Sequence, residues 1–405
     1  MCYDKSVNRF VEIQIMAKSV KALITPEVLK WARERRIRLE IDYAAKRLKI
    51  EPETLETWEN GTEQPTIAQL KKIAKLYKTH ISIFYLSEPP TDFQPLTDYR
   101  ILPEQLATDE EQVYRLNANI VEAFERRETL IELYELLEEV PPEVALDIDR
   151  HENPVQIAEK ITKFLEPNRS QLREANDPYA ALKFWKQTVE AKGILVCQTS
   201  VNTHLSVELA TARGFCIAQR PFPVIIVNPK DSPYGRIFTL IHELVHIALG
   251  ESVIQNTGFE AANSLNLDPI EVFCNQVAAE VLVPENELLE RINLETLQED
   301  LPGTSKFFHV SSEVIMRRLQ TLGVISRRDY QTYRSRQLAK YRDTPKPGGG
   351  AAPYPNRLLN TSGEHFARIA FTAYYDQKIT RAELASVLSN SDTKHLAKIE
   401  SAIFV

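Results

Sequence analysis

The chain has 405 residues, of which 43% are hydrophobic and 26% are charged. This composition is ordinary for a globular protein and the length allows two or three domains, so fibrous and disordered classes are excluded. The formal net charge of −7 hides an uneven distribution, because residues 17–90 hold 14 Lys and Arg against 10 Asp and Glu.

The start of the chain and its cysteines indicate a cytoplasmic protein. No basic region followed by an apolar stretch opens the sequence, and no run reaches the roughly 18 apolar residues that a membrane span needs. The cysteines show no C-x-x-C spacing, so a disulfide framework and a cysteine zinc site are both disfavoured. We expect no membrane partner, and a loosely attached leader over residues 1–15, with Met16 as the native start. The cysteines are Cys2, Cys197, Cys216 and Cys274.

Four short helices with a tight turn between the second and third are predicted in the basic N-terminal part. Each begins at a residue typical of a helix N-terminus, and Asn60-Gly61 ends the third. This layout describes a helix-turn-helix domain. The run W-E-N-G-T-E-Q-P-T at 58–66, followed by an apolar helix, resembles the XRE (repressor/Cro-like) family. The predicted helices run from Thr25 to about Ile37, from Asp42 through Leu48, from Glu51 to Asn60, and from Thr66 through Leu76.

The charges of this domain leave its partner open. In the XRE family the third helix enters the major groove, yet here it carries Glu53, Glu56 and Glu59, which repel phosphates. Basic side chains lie mainly on the first two helices, where they favour DNA, although they equally suit solvated helix faces. Sequence-specific DNA binding and a protein-docking or dimerising role therefore both remain. The candidate DNA contacts are Arg36, Arg38, Lys46, Arg47, Lys49, Thr54 and Thr57.

A long helix is predicted between Asp109 and Glu139. Leu116, Ala123 and Leu130 recur at heptad spacing, which favours a helical connector or an arm that forms a homodimer. Arg127 interrupts the second stripe, so an amphipathic helix packed on the following domain explains the pattern equally well.

The next domain begins near residue 154 and combines helices with a small sheet. Helices are predicted at 155–165 and 178–191, and a buried strand at 193–197. Residues 214–218 and 223–228 read as an antiparallel hairpin. Such a sheet beside the following helix offers an extended peptide an edge with which to pair.

That following helix contains the motif H-E-L-V-H within an apolar pattern. Charged groups buried among Leu, Ile and Val need a partner. The i, i+4 spacing places His242 and His246 on one face, where both imidazoles can reach a single zinc ion, and Glu243 can hold a water beside it.

A catalytic zinc site needs a third protein ligand. No histidine lies between His246 and His309, so we expect a carboxylate. Glu271 is our choice, because it opens a predicted helix over 269–283 and shares a face with Ala278, whose small side chain permits close packing. A first-turn acid that stabilises the helix dipole is the alternative role for Glu271. The candidates considered are Glu251, Glu260, Asp268, Glu271 and Glu280.

The H-E-L-V-H motif, followed by E-x-x-C-N-x-x-A-A-E-V-L-V-P, is similar to the ImmA/IrrE family of zinc metallopeptidases, many members of which carry an XRE-type domain. The resemblance covers roughly residues 17–90 and 154–330. It implies His242, His246 and Glu271 as zinc ligands and Glu243 as the catalytic acid/base. Asn275 is a candidate for orienting Glu271. Tyr234 and His309 are candidates for stabilising the transition state, with a structural role as the alternative for each.

The resemblance implies a zinc-dependent endopeptidase that cleaves a helix-turn-helix repressor or a similar regulatory protein under stress. The alternative is a DNA-binding regulator or antitoxin-like partner of a toxin, in which the peptidase domain acts as a sensor or self-processing unit. Either function suits a cytoplasmic regulatory protein.

The predicted fold class is α+β and mainly helical. A four-to-five-helix N-terminal domain precedes a zincin-like domain with a small β-sheet beside the H-E-x-x-H helix, and a C-terminal helical appendage follows. In it, Thr380 and Glu383 are predicted to form a capping box. The predicted divisions are 1–15 leader, 16–90 helix-turn-helix, 91–153 connector, 154–343 peptidase, 344–356 flexible linker and 357–405 C-terminal segment.

Overall fold

The computed structural model describes residues 20–91, 109–200, 204–252, 254–255, 268–343, 354–388 and 393–404. The predicted leader, most of the predicted linker and Glu260 lie outside these residues. The chain divides into two compact units, residues 1–93 and 94–405. Among the described helices, none has the length and apolar character required to cross a membrane.

The first unit is the predicted helix-turn-helix. Its first helix runs without a break to Ile37, but its second half is a π-helix, over Ala32–Ile37. Thr66 caps α4 in a capping box with Gln69, as the sequence pattern of a helix start requires. The apolar side chains of Leu55, Trp58 and Leu70 are buried in its core. The helices are α1 (Pro26–Trp31), α2 (Ile41–Leu48), α3 (Pro52–Glu59) and α4 (Ile67–Leu76), with a 3₁₀ turn over Ile81–Tyr85.

The second unit is built on a four-stranded sheet with the order β1-β3-β2-β4. β1 pairs in parallel with β3, and β2 pairs antiparallel with both β3 and β4. The predicted hairpin is therefore present, in the register Gly214 opposite Val227. The strands are β1 (Leu195–Gln198), β2 (Gly214–Ile217), β3 (Val224–Val227) and β4 (Ile254–Gln255).

Helices pack around this sheet over one hydrophobic core. α9 (Pro233–Ala248) contacts β2, β3, α8 (Pro178–Glu190) and α10 (Pro269–Leu282). α10 in turn packs on α6 (Pro154–Leu165). The H-E-x-x-H segment therefore lies between the sheet and α10. The remaining helices of this part are α7 (Arg169–Arg173), α11 (Glu285–Leu289), α12 (Leu297–Phe308), α13 (Ser312–Thr321) and α14 (Arg327–Asp343).

The long helix α5 (Glu110–Leu136) belongs to the second unit, where it contacts β3 and the C-terminal helix Glu364–Tyr375. Its heptad residues Leu116, Ala123 and Leu130 are buried, and Arg127 donates through Nε to the carbonyl oxygen of Gln219 at 3.3 Å. These residues are covered by the same chain, so the packed amphipathic helix, rather than a dimer arm, is the arrangement that the structure supports.

The C-terminal helices are part of the second unit. α15 (Tyr354–Ser362) and α16 (Glu364–Tyr375) contact β1, and α16 also packs on α5. Thr380 and Glu383 form the predicted capping box at the start of α17 (Arg381–Val387). α18 (Leu396–Phe404) then packs on α15 and α16. The mainly helical α+β fold class is confirmed.

Candidate metal centre

Ser232 and Pro233 define the start of α9, well before the H-E-x-x-H motif. Ser232 caps the helix by accepting a hydrogen bond from the Gly235 N–H at 3.0 Å, and Pro233 follows at the first helical position, where a missing N–H costs nothing. Every residue from Arg236 to Ala248 is buried. The three polar residues of H-E-x-x-H therefore lie in the buried part of this helix.

α10 brings the third group of the candidate site. Asp268 caps it by accepting from the Ile270 N–H at 3.0 Å, and Pro269 opens the first turn. Ala278 and Ala279 are buried in the core, and their small side chains permit close packing of α10 on α9. Glu271, in the first turn, is thereby brought to the histidines.

Three ligand atoms converge in this site. His242 Nε2 lies 3.3 Å from Glu271 Oε2, and His246 Nε2 lies 3.3 Å from Glu271 Oε1. The two Nε2 atoms are 3.1 Å apart. Tetrahedral coordination with bonds of about 2.0–2.1 Å separates neighbouring ligand atoms by about 3.3 Å. The donor set and its spacing therefore fit a zinc ion, and the group could hold a metal.

Burial and mutual contact shift the pKa values of this site. Burial raises the pKa of Glu271, but the hydrogen bonds and charges of His242 and His246 outweigh it and hold that pKa well below its usual range. Burial by itself lowers the pKa of His242, but the hydrogen bond and charge of Glu271 outweigh burial, so this pKa is raised. Glu271 is therefore ionised at neutral pH, as a metal ligand must be.

Glu243 has a different environment. Both of its carboxylate oxygens are buried, and burial raises its pKa to about 8, although a hydrogen bond with the Cys216 side chain acts in the opposite direction. β2 passes beside it, since a Cβ built on Gly214 would lie 3.5 Å from Glu243 Oε1. A carboxyl group with a pKa near neutrality can both accept and return a proton.

The other carboxylates that the sequence offered are used elsewhere. Asp268 caps α10, and Glu280 forms an ion pair with Arg318. Glu251 is partly exposed after the end of α9. Among the described candidates, only Glu271 lies between the two histidines.

Three further candidate site residues are placed by the structure. Asn275 contacts His242, with Oδ1 3.1 Å from Nδ1, rather than orienting Glu271 as expected. Tyr234 and His309 line a cavity of about 320 Å³ whose described lining includes none of the candidate metal ligands.

One predicted DNA contact is wrong. Arg36 is only 8% exposed, and its Nε and Nη2 donate to the carbonyl oxygen of Lys78 at 3.0 and 2.9 Å. It therefore joins α1's π-helical extension to the segment after α4 instead of facing a ligand. The sequence around Arg36 could not reveal this hydrogen bond, because Lys78 lies 42 residues away.

The other predicted contacts keep some exposure. Lys46, Arg47 and Lys49 are exposed, whereas Arg38, Thr54 and Thr57 are partly buried. Arg47 also lies over the ring of Tyr43, with 5.9 Å to the ring centroid.

The acidity of α3 is smaller than the sequence suggests. Glu59 accepts from Arg33 Nε at 2.7 Å and from Arg33 Nη2 at 2.8 Å, in a pair that is mostly buried. Only Glu53 and Glu56 of the three acids on α3 are exposed. Repulsion of phosphate by this helix therefore comes from two carboxylates and not three.

Comparison with known families agrees with both units. Residues 189–320 match the peptidase family model described as the IrrE N-terminal-like domain, and residues 29–84 match a helix-turn-helix model. The expected resemblance and the pairing of the two domains are confirmed. No curated protein matches the chain.

Proposed function

We propose that this chain, in which an IrrE N-terminal-like domain follows a helix-turn-helix domain, is a zinc-dependent endopeptidase of a regulatory system. The observation that carries the proposal is the convergence of His242, His246 and Glu271, whose ligand atoms lie within 4.8 Å of one another, beside the buried carboxyl group of Glu243. Two imidazoles and one carboxylate form a ligand set of catalytic zinc sites, which leave a fourth position open.

His242, His246 and Glu271 would hold the metal, and Glu243 would transfer the proton. A bound zinc ion supplies Lewis acidity toward a peptide carbonyl and lowers the pKa of a bound water to about 7. Glu243 accepts a proton when water attacks that carbonyl, and it then returns the proton to the leaving amine. Burial of Glu243 supports this role, because it keeps the carboxyl group away from competing bulk water.

We further propose that the substrate is a helix-turn-helix repressor or a similar regulatory protein of the cytoplasm. His242, Glu243 and His246 are 0% exposed and Glu271 is 3% exposed, so the site is closed to a peptide in this structure. A site that must open suits the cleavage of one selected partner rather than general digestion.

The Glu243→Gln variant tests this proposal. It should bind zinc as the parent chain does, fail to cleave, and retain an uncut partner when purified from cells that express the chain. The partner it retains should then be cut by the parent chain and left intact by the variant. Cleavage by Glu243→Gln at the parent rate would refute the role of Glu243.

A second candidate function is DNA binding by residues 29–84, which match the helix-turn-helix model. The exposed side chains of Lys46, Arg47 and Lys49 favour it. In this alternative the chain is a transcriptional regulator or antitoxin-like partner, and its peptidase domain is a sensor or self-processing unit. A mobility-shift assay with the upstream promoter region at a stated salt concentration decides it, since the absence of any shift by the intact chain would remove this function.

A further inference from the structure

Two neighbouring residues of α10 lie behind the two candidate histidine ligands. His242 Nδ1 lies 3.1 Å from Oδ1 of Asn275, and His246 Nδ1 lies 3.8 Å from Sγ of Cys274. Glu271, Cys274 and Asn275 occupy positions i, i+3 and i+4, and therefore share one face of the helix. A single face of α10 thus supplies one carboxylate between the histidines and one contact behind each of them.

The contact from Asn275 determines which nitrogen of His242 carries the proton. An amide oxygen only accepts hydrogen bonds, so His242 Nδ1 must be the donor, and in the neutral ring Nε2 then keeps its lone pair. That Nε2 is the atom that faces Glu271 and His246. We propose that Asn275 is a positioning residue that fixes the tautomer and ring orientation of His242 for metal binding, an inference that rests on the metal site of the proposed function.

The surroundings of Asn275 explain why an amide serves here. Asn275 is 8% exposed, and Glu243 and Glu271 are buried nearby. A third carboxylate would add negative charge to this enclosed region, whereas an amide provides an acceptor oxygen without a charge. The side chain therefore orients His242 while the ionisable groups of the site remain unchanged in number.

The contact behind His246 is weaker and provides a matched control. A thiol is a weak partner for an imidazole N–H, and the 3.8 Å separation of Cys274 Sγ from His246 Nδ1 is long. The two residues are adjacent on the same helix face and each contacts one histidine. Replacement of Cys274 therefore removes a buried side chain from this helix face without removing a strong hydrogen bond. It shows how much zinc affinity is lost through packing alone.

The experiment measures zinc affinity by competition with a chromogenic chelator, for the full chain and for Asn275→Ala, Asn275→Leu, Asn275→Asp and Cys274→Ala. Loss of a group that orients a metal ligand typically lowers affinity about 10–100-fold, and we expect that loss for the Ala and Leu variants. Asn275→Asp retains the acceptor oxygen, and the negative charge that it adds favours a bound cation, so its zinc affinity should be no lower than about a third of the parent's. Cys274→Ala retains Asn275 and should stay within about threefold of the parent. Circular dichroism without metal identifies any variant that fails to fold, and Asn275→Ala and Asn275→Leu serve as replacements for one another.

Cobalt(II) in place of zinc gives a second readout that needs no substrate. The visible absorption of the cobalt-loaded chain reports the ligand geometry, and it should change in Asn275→Ala and Asn275→Leu but not in Cys274→Ala. Parent-like affinity and spectrum in Asn275→Ala would overturn the inference, as would an Asn275→Asp variant that loses as much affinity as Asn275→Leu. Failure of the parent chain to bind zinc would instead refute the proposed function, so the two failures are distinct.

Discussion

Glu280 on α10 and Arg318 on α13 form an ion pair inside the second unit, where the two residues are 8% and 5% exposed. Burial lowers the pKa of the Arg318 guanidinium to about 10, which leaves it charged at neutral pH. Glu280 Oε1 also accepts from the Glu285 N–H at 3.2 Å. The pair therefore ties α13 to the same helix that carries Glu271.

Removal of one partner of this pair should be costly. Arg318→Met leaves Glu280 as an uncompensated buried charge, so we expect the free energy of unfolding in urea to fall by about 3–5 kcal/mol. The double variant Arg318→Met/Glu280→Leu should recover most of that loss. Lys230→Ala, in the exposed pair of Lys230 with Glu208, is the control and should cost under about 1 kcal/mol. Equal losses in the single and double variants would contradict the prediction.

Metal binding should raise the stability of the second unit. At a zinc concentration about 100 times the dissociation constant, linkage predicts a gain of about 2.7 kcal/mol over the chelator-treated chain. His246→Ala should lose this gain, while Glu243→Gln should keep it, because Glu243 is not among the converging ligand atoms. Thermal unfolding with zinc and with chelator measures both, and an undiminished gain in His246→Ala would exclude that ligand.

Gly214 should resist replacement because β2 lies tightly against α9. A Cβ at this position would come within 2.5 Å of Thr239 Cγ2 and 2.7 Å of the Ile226 carbonyl oxygen, so Gly214→Ala must displace the strand beside Glu243. We expect a loss of about 1–3 kcal/mol in urea unfolding. Gly303→Ala is the matched control, since no atom lies within 4 Å of its added Cβ. If Gly214→Ala were as stable as this control, β2 would accommodate the added Cβ without cost and the prediction would be wrong.

Glu190 should make stability depend on pH. It is 8% exposed, burial raises its pKa to about 7 from 4.5, and Lys186, Glu364 and the backbone N–H groups of Val196 and His365 surround it. Because the folded state retains the proton longer, the stabilisation is complete below pH 4.5 and is lost as pH rises to about 7, at about 1.4 kcal/mol per pH unit.

Glu190→Gln should remove this dependence. Unfolding in urea at several pH values between 4.5 and 8 would show a smaller decline for Glu190→Gln than for the parent. The control is Glu159→Gln, which replaces an exposed acid on α6 and should follow the same pH dependence as the parent. Parallel curves for all three chains would mean that Glu190 titrates normally.

In the helix-turn-helix unit, the buried Arg36 should contribute more to stability than the exposed Arg47. Arg36→Ala removes both hydrogen bonds to the Lys78 carbonyl oxygen and should destabilise this unit by about 1–3 kcal/mol. Arg47→Ala should leave stability within about 0.5 kcal/mol. If the chain binds DNA, Arg47→Ala should weaken binding and reduce the salt slope by about 1. Urea unfolding and mobility shifts over a salt series measure these effects, and a stable Arg36→Ala would contradict the first.

The sequence predicted best what short-range patterns encode. The i, i+4 spacing of His242 and His246, the cap and proline that open α10, and the apolar periodicity of the N-terminal helices are all local, and the observed helices begin and end close to their expected residues. The choice of Glu271 followed from helical phase, and the structure brings it between the histidines. Its role as a ligand stays a prediction.

Contacts between distant segments were the part that could not be predicted. Arg36 and Arg318 look like surface cations in the sequence, yet both are buried. Arg36 contacts Lys78, 42 residues away, and Arg318 contacts Glu280, 38 residues away. Asn275 was assigned to Glu271 because they share a helix face, whereas the close approach of α9 puts His242 there instead. Local periodicity identifies which face is buried but not which atoms a neighbouring element brings to it.

The position of α15 and α16 against β1 has a consequence for biosynthesis. β1 begins at Leu195 and its cover begins at Tyr354, so a ribosome that adds about 5–20 residues per second completes the cover roughly 10–30 s after the strand has been made. During that interval β1 lacks its contacts with α15 and α16, and an exposed apolar strand is a site for unwanted pairing. We therefore expect the growing polypeptide to be most prone to aggregation after its H-E-x-x-H motif has been translated and before its last helices emerge.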